Sequence, residues 1–160
     1  MPTIYLTTKI NAPIQRCFDL ATSIDLHVLS TKHTNEKAIA GITSGLIGLN
    51  EEVTWRAKHF GVYQKLSVRI TAFNAPFYFE DKMIKGAFKK MEHKHFFEEN
   101  GKTTILKDVF FFEAPLGLVG KLVSRWILIS YMTNFLKIRN KTIKQLAESD
   151  EWKTILKSNK

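Results

Sequence analysis

Residues 51–113 read EEVTWRAKHF GVYQKLSVRI TAFNAPFYFE DKMIKGAFKK MEHKHFFEEN GKTTILKDVF FFE, and through most of this stretch apolar and polar side chains alternate. A period of two marks strands that bury one face. Short turn-forming groups interrupt the alternation at Phe60-Gly61, Phe73-Asn74-Ala75-Pro76, Lys85-Gly86-Ala87 and Asn100-Gly101. Each is short enough to join antiparallel neighbours, so the stretch predicts a meander.

The turn lengths set an expected register. Phe60-Gly61 places His59 opposite Val62, and therefore Val53 opposite Val68 and Trp55 opposite Leu66. The turn ending at Pro76 places Ala72 opposite Phe77, Ile70 by Phe79 and Leu66 by Met83. The Gly86 turn pairs Ile84 with Phe88. Asn100-Gly101 pairs Glu99 with Lys102, and therefore His95 with Leu106, His93 with Asp108 and Met91 with Phe110. On this register Trp55, Phe77, Phe79, Met83, Met91, Phe97, Phe110 and Phe112 share an inner face. Asp81, His93, His95 and Asp108 stand among them. Arg56, Lys58, Lys65, Arg69, Lys82, Lys90, Lys94 and Lys107 take the outer face, interleaved with Glu52, Glu80 and Glu92.

Before the meander, Thr3 to Ile10 alternates like another strand, and Asn11-Ala12-Pro13 ends it with a cap residue and a first-turn proline. Ile14, Phe18 and Ala21 recur at helical spacing, and Thr22 or Ser23 can cap a second short helix reaching about Leu29. Lys37 to Ile42 is a further strand. After Pro115 the spacing becomes helical to about Glu148, with Leu122, Trp126, Ile129, Thr133, Leu136, Asn140, Ile143 and Ala147 on one stripe widened by Leu128, Met132 and Phe135. At ~1.5 Å per residue such a helix is about 50 Å long, enough to cross a whole sheet. Gly117 and Gly120 weaken its first turns. Residues 1–148 thus form one domain. Residues 149–160 are a tail, in which Trp152, Ile155 and Leu156 could dock as one turn.

Composition narrows the function classes. The chain has 160 residues, 44% of them hydrophobic, which suits one domain with a sizeable core and excludes intrinsic disorder. The lone Cys17 excludes an internal disulfide framework and a zinc module built on paired thiols, and points to a reducing, cytoplasmic setting. The first twenty residues carry no charged segment followed by an apolar core, so no secretory leader is expected. Lys121 and Arg125 interrupt the most apolar stretch, 116–136, leaving it too short to span a bilayer. The net charge is +9. An outer face of lysines serves solubility or a weak contact with an anionic membrane, to which Lys137, Arg139, Lys141 and Lys144 would add. A nucleic-acid reader would need exposed aromatics among those charges, whereas these aromatics point inward, so no nucleic-acid partner is expected.

The order of strand, two short helices, antiparallel meander and long C-terminal helix resembles the helix-grip fold of the START-like (SRPBCC) superfamily. The residues that carry the resemblance are Thr7-Thr8-Lys9-Ile10-Asn11-Ala12-Pro13-Ile14 with Phe18, the strand Glu52 to Ala57, Phe77 to Met83, Met91 to Phe97, and Phe112-Glu113-Ala114-Pro115-Leu116-Gly117. Among its members the chain looks most like small bacterial single-domain proteins grouped with polyketide cyclases. The resemblance implies an α+β fold in which a curved sheet of about seven strands grips the long helix around an apolar cavity. In relatives that cavity holds lipids, quinones, hormones or polyketides.

The expected ligand is therefore a hydrophobic small molecule, bound by Trp55, Phe77, Phe79, Met83, Met91 and Phe110 from the sheet and Trp126 and Ile129 from the helix. Asp81, His93, His95 and Asp108 would form the polar end, because burying them without partners costs several kcal/mol. His93 held by Asp108 could instead move a proton, as in a cyclase or dehydratase, or the two could be a satisfied structural pair. A third possibility is an interaction protein with a collapsed cavity. Alternate strand positions offer ligands on one face, but no full set is legible, so no metal is assigned. Gly45 and Gly48 lack phosphate-loop spacing, no GxSxG elbow exists, and no cofactor is expected.

Overall fold

The computed structural model describes residues 2–114 and 125–157. Strand β1 (Thr3–Ile10) leads into helices α1 (Ile14–Thr22) and α2 (Ile24–Ser30), a 3-10 turn (Lys32–Thr34) and strand β2 (Lys37–Gly41). The meander follows as β3 (Glu52–His59), β4 (Val62–Asn74), β5 (Tyr78–Lys85), β6 (Lys90–Asn100) and β7 (Thr103–Glu113). Helices α3 (Arg125–Ala147) and α4 (Trp152–Lys157) complete it. One antiparallel sheet has the order β1-β7-β6-β5-β4-β3-β2, so the first strand lies beside the last. The buried side of α3, with Leu136, Ile143, Leu146 and Ala147, packs with α1 and α2 over the sheet's inner face. This is the expected α+β helix-grip architecture. No helix among the described residues is long and apolar enough to cross a membrane.

The β3–β4 hairpin has the expected register from Glu52↔Arg69 to His59↔Val62. Phe60 and Gly61 have φ of 51° and 77°, the two left-handed central residues that a type I′ turn requires. At β6–β7 the turn lies one residue later than expected. Asn100 pairs with Thr103, and Gly101 (φ 63°) takes the first central position. Every pair therefore moves by two: His95 faces Asp108, His93 faces Phe110, and Met91 faces Phe112. A shift of two leaves each side chain on its own face. Between β5 and β6 the ladder runs from Tyr78↔Phe96 to Lys82↔Glu92, with Ile84 and Phe88 beyond it.

The β4–β5 pair departs further. Asn74 pairs with Tyr78, Ile70 with Asp81 and Val68 with Met83, and the register breaks between Ile70 and Ala72 and again between Ser67 and Val68. The bulge at Thr71 inserts an unpaired residue and shifts the alternation by one, so that Phe73, three places after Ile70, joins the inner core opposite Phe79. Because the turn closes with Asn74 opposite Tyr78, Phe77 falls in the loop between the strands and is 51% exposed, not opposite Ala72 on the inner face.

Helix ends follow local chemistry. Ser23 caps α2, its hydroxyl accepting from the Leu26 N–H at 3.2 Å. Asn11 does not cap α1; its N–H donates to Glu148 Oε1 at 2.8 Å, and Pro13 precedes the helix with no side-chain cap. Residues 116–124, including Gly117, Gly120 and Leu122 of the expected helix, lie outside the described residues. The expected tail holds α4, fastened by the Arg16 guanidinium 4.2 Å from the centre of the Trp152 ring and by partly buried Trp152, Ile155 and Leu156.

Candidate functional site

A cavity of about 460 Å³ lies between the sheet's inner face and α3. Alternation brings Trp55 from β3, Val68 and Ile70 from β4, Phe79 from β5, Met91 from β6 and Phe110 from β7 to its wall. From α3 come Leu128, Met132, Phe135 and Arg139, spaced i, i+4, i+7 and i+11 along one side of the helix. The wall is thus mostly apolar and aromatic, with Gln64, Lys65 and Arg125 among its polar residues and two groups of polar side chains that bond to one another.

The first polar group stands where β5, β6 and β7 adjoin. Asp81 lies opposite His93, and Asp108 lies opposite His95. His93 Nε2 donates to Asp108 Oδ1 at 2.9 Å. His95 Nδ1 approaches the same oxygen at 2.9 Å, but off the direction of an N–H bond, so it makes no hydrogen bond. Asp108 Oδ2 accepts from Asn140 Nδ2 at 2.6 Å, which ties β7 to α3. Beside Asn140, Arg139 is 5% exposed; it donates to Ala21 O at 3.1 Å and to Asn140 Oδ1 at 3.3 Å. Asp81 Oδ2 has no hydrogen-bond partner and sits 3.8 Å from His95 Nε2.

Burial sets the protonation of this group. It pushes His93 down to about 4, helped by neighbouring His95 and opposed by the bond to Asp108, so His93 is neutral at physiological pH. Burial alone would raise Asp108, but the polar contacts and charges of His93 and His95 outweigh it and hold the carboxyl well below its usual range. Asp81 is lowered in the same way, burial being overcome by His95, His93 and Arg139. The arrangement is an ionised Asp108 accepting an N–H from neutral His93, with a second carboxylate, Asp81, turned to the cavity.

The second polar group was not anticipated as a unit. His27 Nε2 donates to Glu36 Oε2 at 3.0 Å, and the His27 ring stacks on Trp55 with centroids 4.1 Å apart. His59 Nδ1 lies 2.6 Å from the Tyr131 hydroxyl. Burial would raise Glu36, but His27 holds it below the usual carboxylate range; burial lowers His59. Only His59 carried a signal in the sequence, its inward place in the β3 alternation. Glu36 and Tyr131 sit in a turn and on a helix flank that periodicity does not single out.

Of the residues singled out in the sequence, Trp55, Phe79, Asp81, Met91, His93, His95 and Phe110 line the cavity. Asp108 lies behind the two histidines, 1% exposed. Four are elsewhere. Phe77 is in its exposed loop. Met83 packs beside Leu66 and Gly86, where a Cβ on Gly86 would meet Met83 Sδ at 3.0 Å. Trp126 is 79% exposed, since a residue two places before Leu128 is turned about 200° from it. Ile129 is half-buried against the core outside the cavity. Arg139, expected among surface cations at the end of the helix, is buried instead.

The outer face is largely self-neutralised. Lys82 pairs with Glu80 at 3.0 Å, Lys90 with Glu92 at 3.0 Å and Lys107 with Glu98 at 2.8 Å, and Arg69 pairs with Glu52. Arg56 lies over the Tyr63 ring at 3.9 Å.

No family model and no curated protein matches the chain by sequence. Solved structures do match by shape. The Thermus thermophilus protein TTHA0849 superposes with a TM-score of 0.70 at 16% identity, over 92% of this chain and 100% of its own. Ginseng major latex-like protein 151 from Panax ginseng gives 0.67 at 15% identity, over 92% and 98%. A START superfamily protein from Mycobacterium smegmatis gives 0.67 at 12% identity, over 91% and 97%. The chain has the START-like helix-grip fold.

Proposed function

We propose that the protein binds a hydrophobic small molecule between sheet and α3, as a carrier, sensor or sequestering protein. The observation that carries this reading is the cavity of about 460 Å³, apolar along Trp55, Phe79, Met91 and Phe110. Its volume lies within the ~300–1,000 Å³ typical of small-molecule sites. A lipid, quinone or polyketide-like molecule would lay its apolar body on those side chains and turn its polar end to Asp81, His93 and His95. Contact with an anionic membrane would serve loading or release, through the exposed Trp126 and Ile127 at the start of α3.

Acid–base chemistry is the second reading. It is favoured by neutral His93 lining the cavity with Asp108 fixing its ring through the 2.9 Å bond. Native mass spectrometry of freshly purified protein tests the first reading. We expect a bound organic species that denaturation releases. Protein at its bare mass that also fails to take up a hydrophobic fluorescent probe would overturn it.

A further inference from the structure

The geometry points to a divalent transition-metal site formed by Asp81, His93 and His95 at the polar end of the cavity. The inference concerns these three side chains alone and stands whether or not an apolar molecule fills the rest. One donor atom from each of the three residues lies within 4.8 Å of the others. Two imidazoles and one carboxylate on a common face, with the cavity open on the remaining side, form a ligand set suited to zinc and its first-row neighbours.

Three further features fit a cation. First, the 3.8 Å between His95 Nε2 and Asp81 Oδ2 is too long for a hydrogen bond. Two ligands bound at ~2.0–2.1 Å to a tetrahedral ion stand roughly 3.3 Å apart, so this pair needs to close by only about half an ångström. Second, Asp108 is placed as the outer carboxylate that metal-binding histidines commonly have. Its Oδ1 holds His93 Nε2 and lies against His95 Nδ1, each at 2.9 Å, and Asn140 fixes its other oxygen. Each imidazole thereby keeps one nitrogen away from Asp108: Nδ1 of His93 and Nε2 of His95. Third, two carboxylates, Asp81 and Asp108, stand beside the two histidines, while the buried Arg139 guanidinium donates to Ala21 O and Asn140 Oδ1, an arrangement that favours an added positive charge.

Zinc is titrated into metal-stripped protein by calorimetry, and cobalt(II) substitution is followed by its visible absorption. We expect one zinc per chain and a cobalt spectrum of four or five ligands including nitrogen. Asp81→Asn keeps the shape and removes a carboxylate oxygen that has no partner, so it should fold normally and bind zinc about a hundredfold or more weaker. His95→Gln gives a second, independent loss. His33→Ala, in the 3-10 turn and outside the cavity lining, should bind like wild type. Absence of one-to-one binding, or full affinity in folded Asp81→Asn, would overturn the site. Probe uptake by the same stripped protein is read separately, so loss of the metal site and loss of the apolar site are distinguishable.

Discussion

His93 donates a 2.9 Å hydrogen bond to Asp108 although the two are not opposite each other; the residue across from His93 is Phe110, and the bond runs diagonally to the next inward position of β7. Asp108 thus serves as the common partner of β6 and α3. Replacing it by alanine removes the acceptor of both His93 and Asn140, and we expect a cost of about 3–5 kcal/mol in urea unfolding. His93→Ala leaves Asp108 bonded to Asn140 and should cost about 1–3 kcal/mol. Equal costs for the two variants would mean that Asn140 contributes nothing to holding the carboxylate.

Stability of the metal-free protein should fall as pH drops from about 6.5 toward 4. Burial, with His95 beside it, holds folded His93 at about 4, against ~6.5 in the unfolded chain. Between these values the unfolded state binds a proton that the folded state refuses, so acidification favours unfolding. Asp108 and Asp81, both depressed, extend the loss below about pH 4, because their protonation also favours the unfolded chain. The charged and titratable groups around His93 are His95, Asp108, Asp81 and Arg139. Urea melts at half-unit pH steps, in chelator, check the window. In His93→Gln the slope between pH 6.5 and 4 should flatten; an unchanged slope would assign it to another group.

The inner face was legible because its errors came in twos. Moving the β6–β7 turn by one residue exchanges His93's expected neighbour, Asp108, for Phe110, yet leaves Met91, His93 and His95 inward. The Thr71 bulge lies outside what alternation can express, and it brings Phe73 inward in place of Ala72, while Phe77 belongs to the 75–77 turn instead of the strand. The helix failed for a different reason. Trp126, Ile129, Thr133, Leu136 and Asn140 follow a spacing of 3.5; Asn140 stands about 120° round the helix from the cavity-facing line through Leu128, and the drift of about 20° per heptad carries Trp126 roughly 40° further away. Arg139 was hidden because a cation near a helix end reads as surface until tertiary packing encloses it.

Binding to anionic vesicles should be weak and confined to low salt. The net charge is +9, but Lys82, Lys90, Lys107 and Arg69 are engaged by glutamates on the same face. Residual attraction is screened over ~10 Å at 0.1 M salt. Trp126 is 79% exposed and suited to the headgroup region. Co-sedimentation should show Trp126→Ala reducing binding several-fold at low salt, with both proteins free at 0.5 M. Salt-resistant binding would mean that Trp126, with its exposed neighbours Ile127 and Phe60, inserts as an apolar surface.

Met91 offers the most direct measure of whether the space beneath α3 is a binding cavity. It is 4% exposed, lies on β6 two residues before His93, and lines the cavity alongside Phe110 and Phe112. Its side chain therefore borders both packed neighbours and empty volume. Met91→Trp adds an aromatic ring that can extend only into that volume. If the space is available the ring displaces nothing, and stability should stay within about 1 kcal/mol of wild type; in a filled core such overpacking costs ~1–3 kcal/mol or more. A hydrophobic fluorescent probe should bind wild type at one site, yield to a long-chain or polycyclic competitor, and bind Met91→Trp at least tenfold more weakly. A folded Met91→Trp protein that still takes up the probe would place the apolar site elsewhere. A destabilised one would show that Met91 is ordinary core and that the cavity does not extend to it.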